Sequence, residues 1–393
     1  MATYGQMLKL PAVRRMLVIS LIGRIPMSAI AVVLLIHVTQ HLGHSYAMAG
    51  LLVAAETTAA AISGPWRGRK LDQIGLRASV LPSIIVMGAA WAIAPWVSYW
   101  PLVALAFIGA LMMIPTFAIV RQVLIDAVPE SDRKAVLALD SITTEIAFMV
   151  GPILGVWLAT SIDTRVAILV VQLFFVLGGL MLWIENPPLG QSEEDKQSRQ
   201  PLRSWISMGF VSVLIVCFTA VFVLMAGDIG AISALQEMGQ PKLAGLVLAT
   251  WAFGSMLGAG IYGIAHRPIK SYWLLLVLGL TTIPVALATT PTQLAILLFV
   301  SGFMCGPTLS ATIEDVSHAV PIAVRGEAMG WHGSALMAGG AAGGPVIGLA
   351  VDHAGWPSGF VVAGLVGVVV AFAALLVTRA RRSSQALFLS SGK

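Results

Sequence analysis

The chain has 393 residues, of which 58% are hydrophobic and only 10% charged, with a mean hydropathy of +0.90 and a formal charge of +5. A typical soluble domain carries about 25% charged residues. So little charge cannot cover a water-facing surface, which excludes a soluble globular fold.

A helix needs about 20 apolar residues to span a bilayer. Twelve such runs follow one another, at 16–38, 46–66, 78–97, 101–125, 135–160, 164–184, 205–228, 243–263, 272–289, 293–313, 327–350 and 357–378. The predicted fold is an all-α integral membrane protein with twelve transmembrane helices. Gly and Pro inside the runs fit this, because membrane helices tolerate both. The first run is too long for a signal peptide and no small-residue cleavage site follows it, so it is expected to remain as a helix. Cys217 and Cys305 both fall within spans and read as buried thiols, not a disulfide or metal framework.

Between the second and third runs lies GPWRGRKLDQIGLR, where Arg67, Arg69, Lys70, Asp72 and Arg77 crowd into one connection. After the sixth run comes a polar segment, 186–204, containing Asn186-Pro187-Pro188 and Ser192-Glu193-Glu194-Asp195-Lys196. The expected domains are a six-helix bundle over 1–185, a linker over 186–204, a second six-helix bundle over 205–380 and a tail over 381–393. With the N-terminus inside, 19 of the 23 Lys and Arg fall on cytoplasmic segments and two, Arg165 and Lys242, on outer loops. That asymmetry follows the positive-inside rule. It predicts a multi-pass plasma (inner) membrane protein with both termini cytoplasmic, and it accounts for the net charge without nucleic-acid binding. Trp96 and Trp100 at an outer turn, and Trp183 and Trp205 beside the linker, read as interface anchors.

The halves also repeat. Ala49-Gly50-Leu51 returns as Ala244-Gly245-Leu246, and Gly68 as Gly263, both 195 residues on. Val128-Pro129 with Arg133 returns as Val320-Pro321 with Arg325, 192 on, and Gly151-Pro152-Ile153-Leu154-Gly155 as Gly344-Pro345-Val346-Ile347-Gly348, 193 on. Six spans per half put both halves in the same direction, so the expectation is two parallel six-helix repeats.

Six plus six helices around a central cytoplasmic loop resemble the major facilitator superfamily. Gly68, Asp72, Gly75 and Arg77 match that family's signature between helices two and three. Ala147, Gly151, Pro152 and Gly155 match the helix-five motif of its drug and metabolite exporters, doubled in helix eleven as Gly340, Gly344, Pro345 and Gly348. The resemblance implies a secondary transporter of its proton-antiporter branch, not an enzyme. Gly68, Asp72, Gly75 and Arg77 would form a cytoplasmic gate, with Asp72 facing the N-terminal end of helix eleven and Asp126 the expected partner of Arg77. The alternative is that the basic residues only fix orientation, which would leave Asp72 unexplained. The Gly-Pro motifs also read as packing, since small residues four apart let helices approach closely.

Charge inside a span is costly and marks a functional candidate. Counted at about 1.5 Å per residue, Arg24, Glu56 and Glu145 lie near mid-membrane. Arg121 and Glu314 sit nearer the inner ends of helices four and ten, Asp228 near the outer end of helix seven, and Asp140 and Asp315 near the inner surface. The resemblance places Arg24, Arg121, Asp228 and Glu314 around a central cavity. Arg121 and Glu314, 193 apart, read either as an inner latch across it or as ordinary pairs within their halves. Glu56 and Glu145 are the proton candidates, because a carboxyl in a low-dielectric site holds a proton more readily. A fixed pair of either with Arg24 is the structural alternative. His332 is most simply a packing residue, and His37, His41 and His44 have no carboxylate near in sequence to complete a metal site.

The expected function is export of a small organic compound, a drug or metabolite, by proton antiport with rocking alternating access. The alternative is proton-coupled import or facilitated passage of a sugar or organic anion. The expected partners are a small-molecule substrate, protons and the lipid bilayer, acting on a monomer with no cofactor, metal or nucleic acid.

Overall fold

The computed structural model describes residues 4–129, 132–187, 205–264, 269–321 and 324–391. Among them the secondary structure is helical throughout. Most of the predicted linker lies outside the described residues, as do the side chains of Asp72 and of 379–393, and Gly68 with them.

The helices are α1 (Pro11–Ile36), α2 (Tyr46–Ile93), α3 (Tyr99–Leu111), α4 (Thr116–Asp126), α5 (Arg133–Ser161), α6 (Thr164–Glu185), α7 (Met208–Glu237), α8 (Ala244–Ile264), α9 (Ser271–Thr282), α10 (Pro291–Ala319), α11 (Arg325–Ala354) and α12 (Trp356–Ser391). Ten helical segments are long and apolar enough to cross a membrane, and Tyr99–Leu111 and Ser271–Leu287 are shorter apolar helices.

Starts follow the usual chemistry. Pro11 opens α1, where its missing N–H costs nothing. Ser45, Ser207 and Thr290 accept the N–H of Met48, Phe210 and Gln293 as N-caps of α2, α7 and α10.

Two predicted elements differ in outline. The second and third runs form one 48-residue helix, α2, interrupted at Gly75 (φ 78°, ψ 170°). That backbone conformation is open essentially to glycine alone, and it lets two spans join without a loop. The fourth run breaks in two. Residues 112–115 leave the helix, and Thr116 N bonds to Ile114 O at 2.7 Å. Pro115 lacks the donor needed to carry the ladder through.

The chain divides into two compact units, one comprising Met1–Asp195 with Gln240–Ala249 and the other Lys196–Gly239 with Thr250–Lys393. In the first, α1 packs on α5 and α6; in the second, α7 packs on α11 and α12. Glycines permit both contacts. A Cβ on Gly151 would strike Ser28 Oγ and lie 2.7 Å from Ile25 O, and one on Gly155 would lie 3.0 Å from Ala29 O. In the second unit Gly339 backs onto Phe218 O, and a Cβ on Gly343 would lie 2.8 Å from Met225 Cγ. These are the neighbours of the predicted Gly340 and Gly344; Gly344 and Gly348 are themselves buried and Pro345 half-buried.

Trp96 and Trp100 are exposed, at 61% and 65%. Trp205 is not an interface anchor. It is buried in a cluster with Phe210, Val316, Val320, Val324 and Ala328, its ring edge-on to Phe210.

Candidate functional site

Lipid offers no partner to a charge, so a buried charge in a span must find one within the protein. Arg24 on α1 is 2% exposed. Its Nη1 donates to Asp140 Oδ1 at 2.7 Å, to Thr144 Oγ1 at 2.7 Å and to Asp140 O at 3.2 Å. Its guanidinium lies 4.2 Å from the centre of the Phe117 ring, just beyond the break between α3 and α4. Asp140 is 1% exposed, and its Oδ2 lies 3.7 Å from Arg121 Nε. Arg24 Nε and Nη2 and Asp140 Oδ2 have no hydrogen bond among the described residues. The Arg24 side chain is thus fully enclosed, whereas that of Arg121 is 57% exposed. Three helices therefore meet at one carboxylate, shared by a locked cation and a loosely held one.

Asp140 was not among the candidate site residues read from the sequence, which placed it only near the inner surface. It meets Arg24 because α1 and α5 run side by side in the same direction: further along both helices Ser28 Oγ donates to Ala147 O at 2.7 Å. The sequence carried a signal for it. Asp140, Thr144, Ala147, Gly151 and Gly155 are spaced as one helical face, so the packing stripe identified from its glycines continues back to the acid.

Glu56 and Glu145 are half-buried, and neither makes a hydrogen bond or ion pair among the described residues; Asp228 in the second unit is the same. Glu314 accepts the Tyr262 hydroxyl at 2.9 Å. The predicted mid-membrane acids are therefore distinct from the partner of Arg24. Of the two readings of Arg121 and Glu314, the contacts each makes lie within its own unit.

The charged connection is held from within. Arg67 is 3% exposed, and its Nη2 donates to Ser79 O at 2.7 Å and to Ser83 Oγ, across the Gly75 turn. Burial lowers the pKa of its guanidinium. Arg77 donates from Nε to Trp183 O at 3.1 Å and from Nη2 to Ile184 O at 3.3 Å, with its guanidinium 5.4 Å from the Trp183 ring centre. It caps the last turn of α6, where a cation complements the helix dipole. Asp126 ends α4 beside a cavity of about 270 Å³ that Met16, Val123 and Glu185 also line.

In the second unit His332 is 4% exposed. Thr312 Oγ1 donates to Leu309 O at 2.7 Å, so the 2.9 Å contact with His332 Nε2 has the ring as donor. Cys217 Sγ donates to His332 O at 3.7 Å. His37 pairs with Thr164 Oγ1 at 2.8 Å and stacks on His41. Among the described residues no group of three or more His, Cys, Asp or Glu is placed to hold a metal. Neither cysteine forms a disulfide among the described residues, and both are buried.

The profile of the Major Facilitator Superfamily matches residues 16–274 and 229–391. The multi-drug resistance efflux pump PmrA of Streptococcus pneumoniae is 24% identical over 293 residues, covering 70% of this chain and 71% of the pump. Among solved structures, a bacterial homolog of the human lysosomal transporter Spinster, inward-facing and occupied, superposes with TM-score 0.75 at 15% identity, covering 93% of this chain and 96% of that one. A mutant of the nucleoside transporter NupG superposes with TM-score 0.76 at 14% identity, covering 93% and 99%. The match runs from the first span through the last, and with it the chain of membrane-crossing helices described here belongs to the major facilitator superfamily.

Proposed function

We propose that this transporter exports a small organic compound, drug-like or metabolite, in exchange for protons. It would do so by rocking two parallel six-helix halves, twelve crossings in all, with both termini in the cytoplasm. The observation that carries the reading is the Arg24–Asp140–Arg121 cluster set apart from three acids, Glu56, Glu145 and Asp228, that have no cationic partner among the described residues. Because Asp140 occupies Arg24, Glu56 and Glu145 stay available to bind a proton or a cationic substrate, and competition between the two is the physical basis of antiport. Arg121, mostly exposed and 3.7 Å from Asp140, is the group free to change partner as the site changes sides. Gly68, Asp72, Gly75, Arg77 and Asp126 act as the cytoplasmic gate, for which Gly75 supplies a tight turn and Arg77 an anchor on α6.

The likeness to a multi-drug efflux pump supports export. The fold likeness to a nucleoside transporter keeps open the second reading, import or facilitated passage of a sugar or organic anion. The deciding experiment is transport in proteoliposomes under an imposed pH gradient, with cationic drugs, sugars and organic acids as solutes. Expected is gradient-driven movement of an organic solute that Glu56→Gln or Glu145→Gln uncouples from the gradient. Solute movement indifferent to the gradient overturns the antiport reading.

A further inference from the structure

A cavity of about 320 Å³ in the second unit plays no part in the transport reading. Ser212 on α7, Lys270, Ser271 and Tyr272 at the start of α9, and Asp315 and His318 on α10 line it, with Thr378 of α12 closing the far side. Each of these elements reaches the cavity near the end of its apolar stretch. The span of α7 opens at Met208, the apolar helix of α9 opens at Ser271, the span of α10 closes at Ala319, and that of α12 closes at Thr378. The cavity therefore sits at the depth where hydrocarbon gives way to lipid headgroups.

Apart from Asp315 and His318, its polar side chains are an ammonium and hydroxyls, all able to donate. The one acid, Asp315, is already satisfied: Oδ1 accepts from Lys270 Nζ at 2.8 Å and Oδ2 from Ser271 N–H at 2.9 Å. Ser271 is 1% exposed, yet its hydroxyl has no hydrogen-bond partner among the described residues, and neither do those of Ser212 and Tyr272. Lys270 keeps two further N–H donors. In sequence, Arg267 stands three residues before Lys270, and Arg379, Arg381 and Arg382 come just after Thr378. Unpartnered hydroxyls around a lysine at headgroup depth match the acceptor-rich phosphodiester of an anionic phospholipid.

We propose that this cavity is a binding site for the phosphate of an anionic phospholipid headgroup, seated on Lys270, Ser271, Tyr272 and Ser212. The test uses the full chain, purified in detergent and offered phosphatidylglycerol or phosphatidylcholine. Retained lipid is read by native mass spectrometry and stabilisation by the melting temperature. Expected is preferential retention of phosphatidylglycerol that falls about fivefold in Lys270→Gln. It is lost in Ser212→Leu, which fills the cavity and leaves the Lys270–Asp315 pair intact. Equal retention of both lipids, or retention unchanged in both variants, overturns the proposal. So does a melting shift of the same size from soluble glycerol phosphate, which would assign the site to free phosphate. None of these readouts depends on transport, so they fail or succeed apart from the antiport reading.

Discussion

The two units solve one packing problem with opposite chemistry. In each, the first helix lies against the fifth, at positions related by the sequence repeat: Cys217 is 193 residues on from Arg24, and His332 is 192 on from Asp140. The side chain of the first reaches the main-chain oxygen of the second in both, Arg24 Nη1 to Asp140 O at 3.2 Å and Cys217 Sγ to His332 O at 3.7 Å. The first unit fills this position with a buried ion pair, the second with a thiol and an imidazole ring bonded to Thr312. The second version shows that the contact does not need an ion pair to hold the helices. The charge in the first unit is therefore more than the packing of these two helices requires, and the proposed antiport is anchored on that surplus.

That contrast can be broken most directly at Asp140. Asp140→Ala strands a cation that is 2% exposed, and loss of one partner of a buried pair costs about 3–5 kcal/mol. The melting temperature in detergent should fall steeply. Arg24→Met with Asp140→Leu, an apolar pair in place of the ionic one, should recover the stability but not the transport. Recovery of both would make the ion pair a mere staple and end the distinction between the halves.

Next in size are the glycines. Gly75→Ala forces a side chain into a glycine-only conformation at a cost of about 1–3 kcal/mol. Gly151→Ala and Gly339→Ala each drive a methyl into the opposing helix, at about 1–3 kcal/mol by overpacking. Equal losses at Gly151 and Gly339, read by thermal unfolding, would sharpen the view that the scaffold is shared and only the polar insert differs. A smaller effect is expected at the second unit's site. Thr312→Val leaves the His332 N–H without its acceptor and should cost about 1–3 kcal/mol, with transport largely kept. A collapse of coupling in that variant would give the second unit a role like that of the first. The smallest loss should come from Arg77→Ala, about 0.3–1 kcal/mol for a cation at an exposed helix end, measured as a slight drop in melting temperature.

Apolar runs, their order and the Gly-Pro stripes were legible because span length and helix–helix approach depend on local composition. Two kinds of feature were not. Pro115 and Gly75 act on the backbone, and composition does not reveal whether a proline in a span kinks the helix or breaks it, or whether a short polar connection needs a loop. The partner of Arg24 depends on which helices touch. Counting residues gave Glu56 and Glu145 a depth near that of Arg24 and set Asp140 near the inner surface, but it gave none of the three a neighbour. Trp205 was misjudged for the same reason: proximity to a polar segment in sequence gave no hint of the pocket formed by Phe210, Val316 and Val320.

The interruption at residues 112–115 gives the first unit an unequal mechanical character. Helix α10, the corresponding element of the second unit, runs 29 residues from Pro291 to Ala319 without a break despite Pro307. Torque applied to α10 travels its full length as through a lever. Between α3 and α4 no continuous ladder carries such a torque, so a displacement of Tyr99–Leu111 need not be passed on to Phe117 and Arg121, which stand over Arg24 and Asp140.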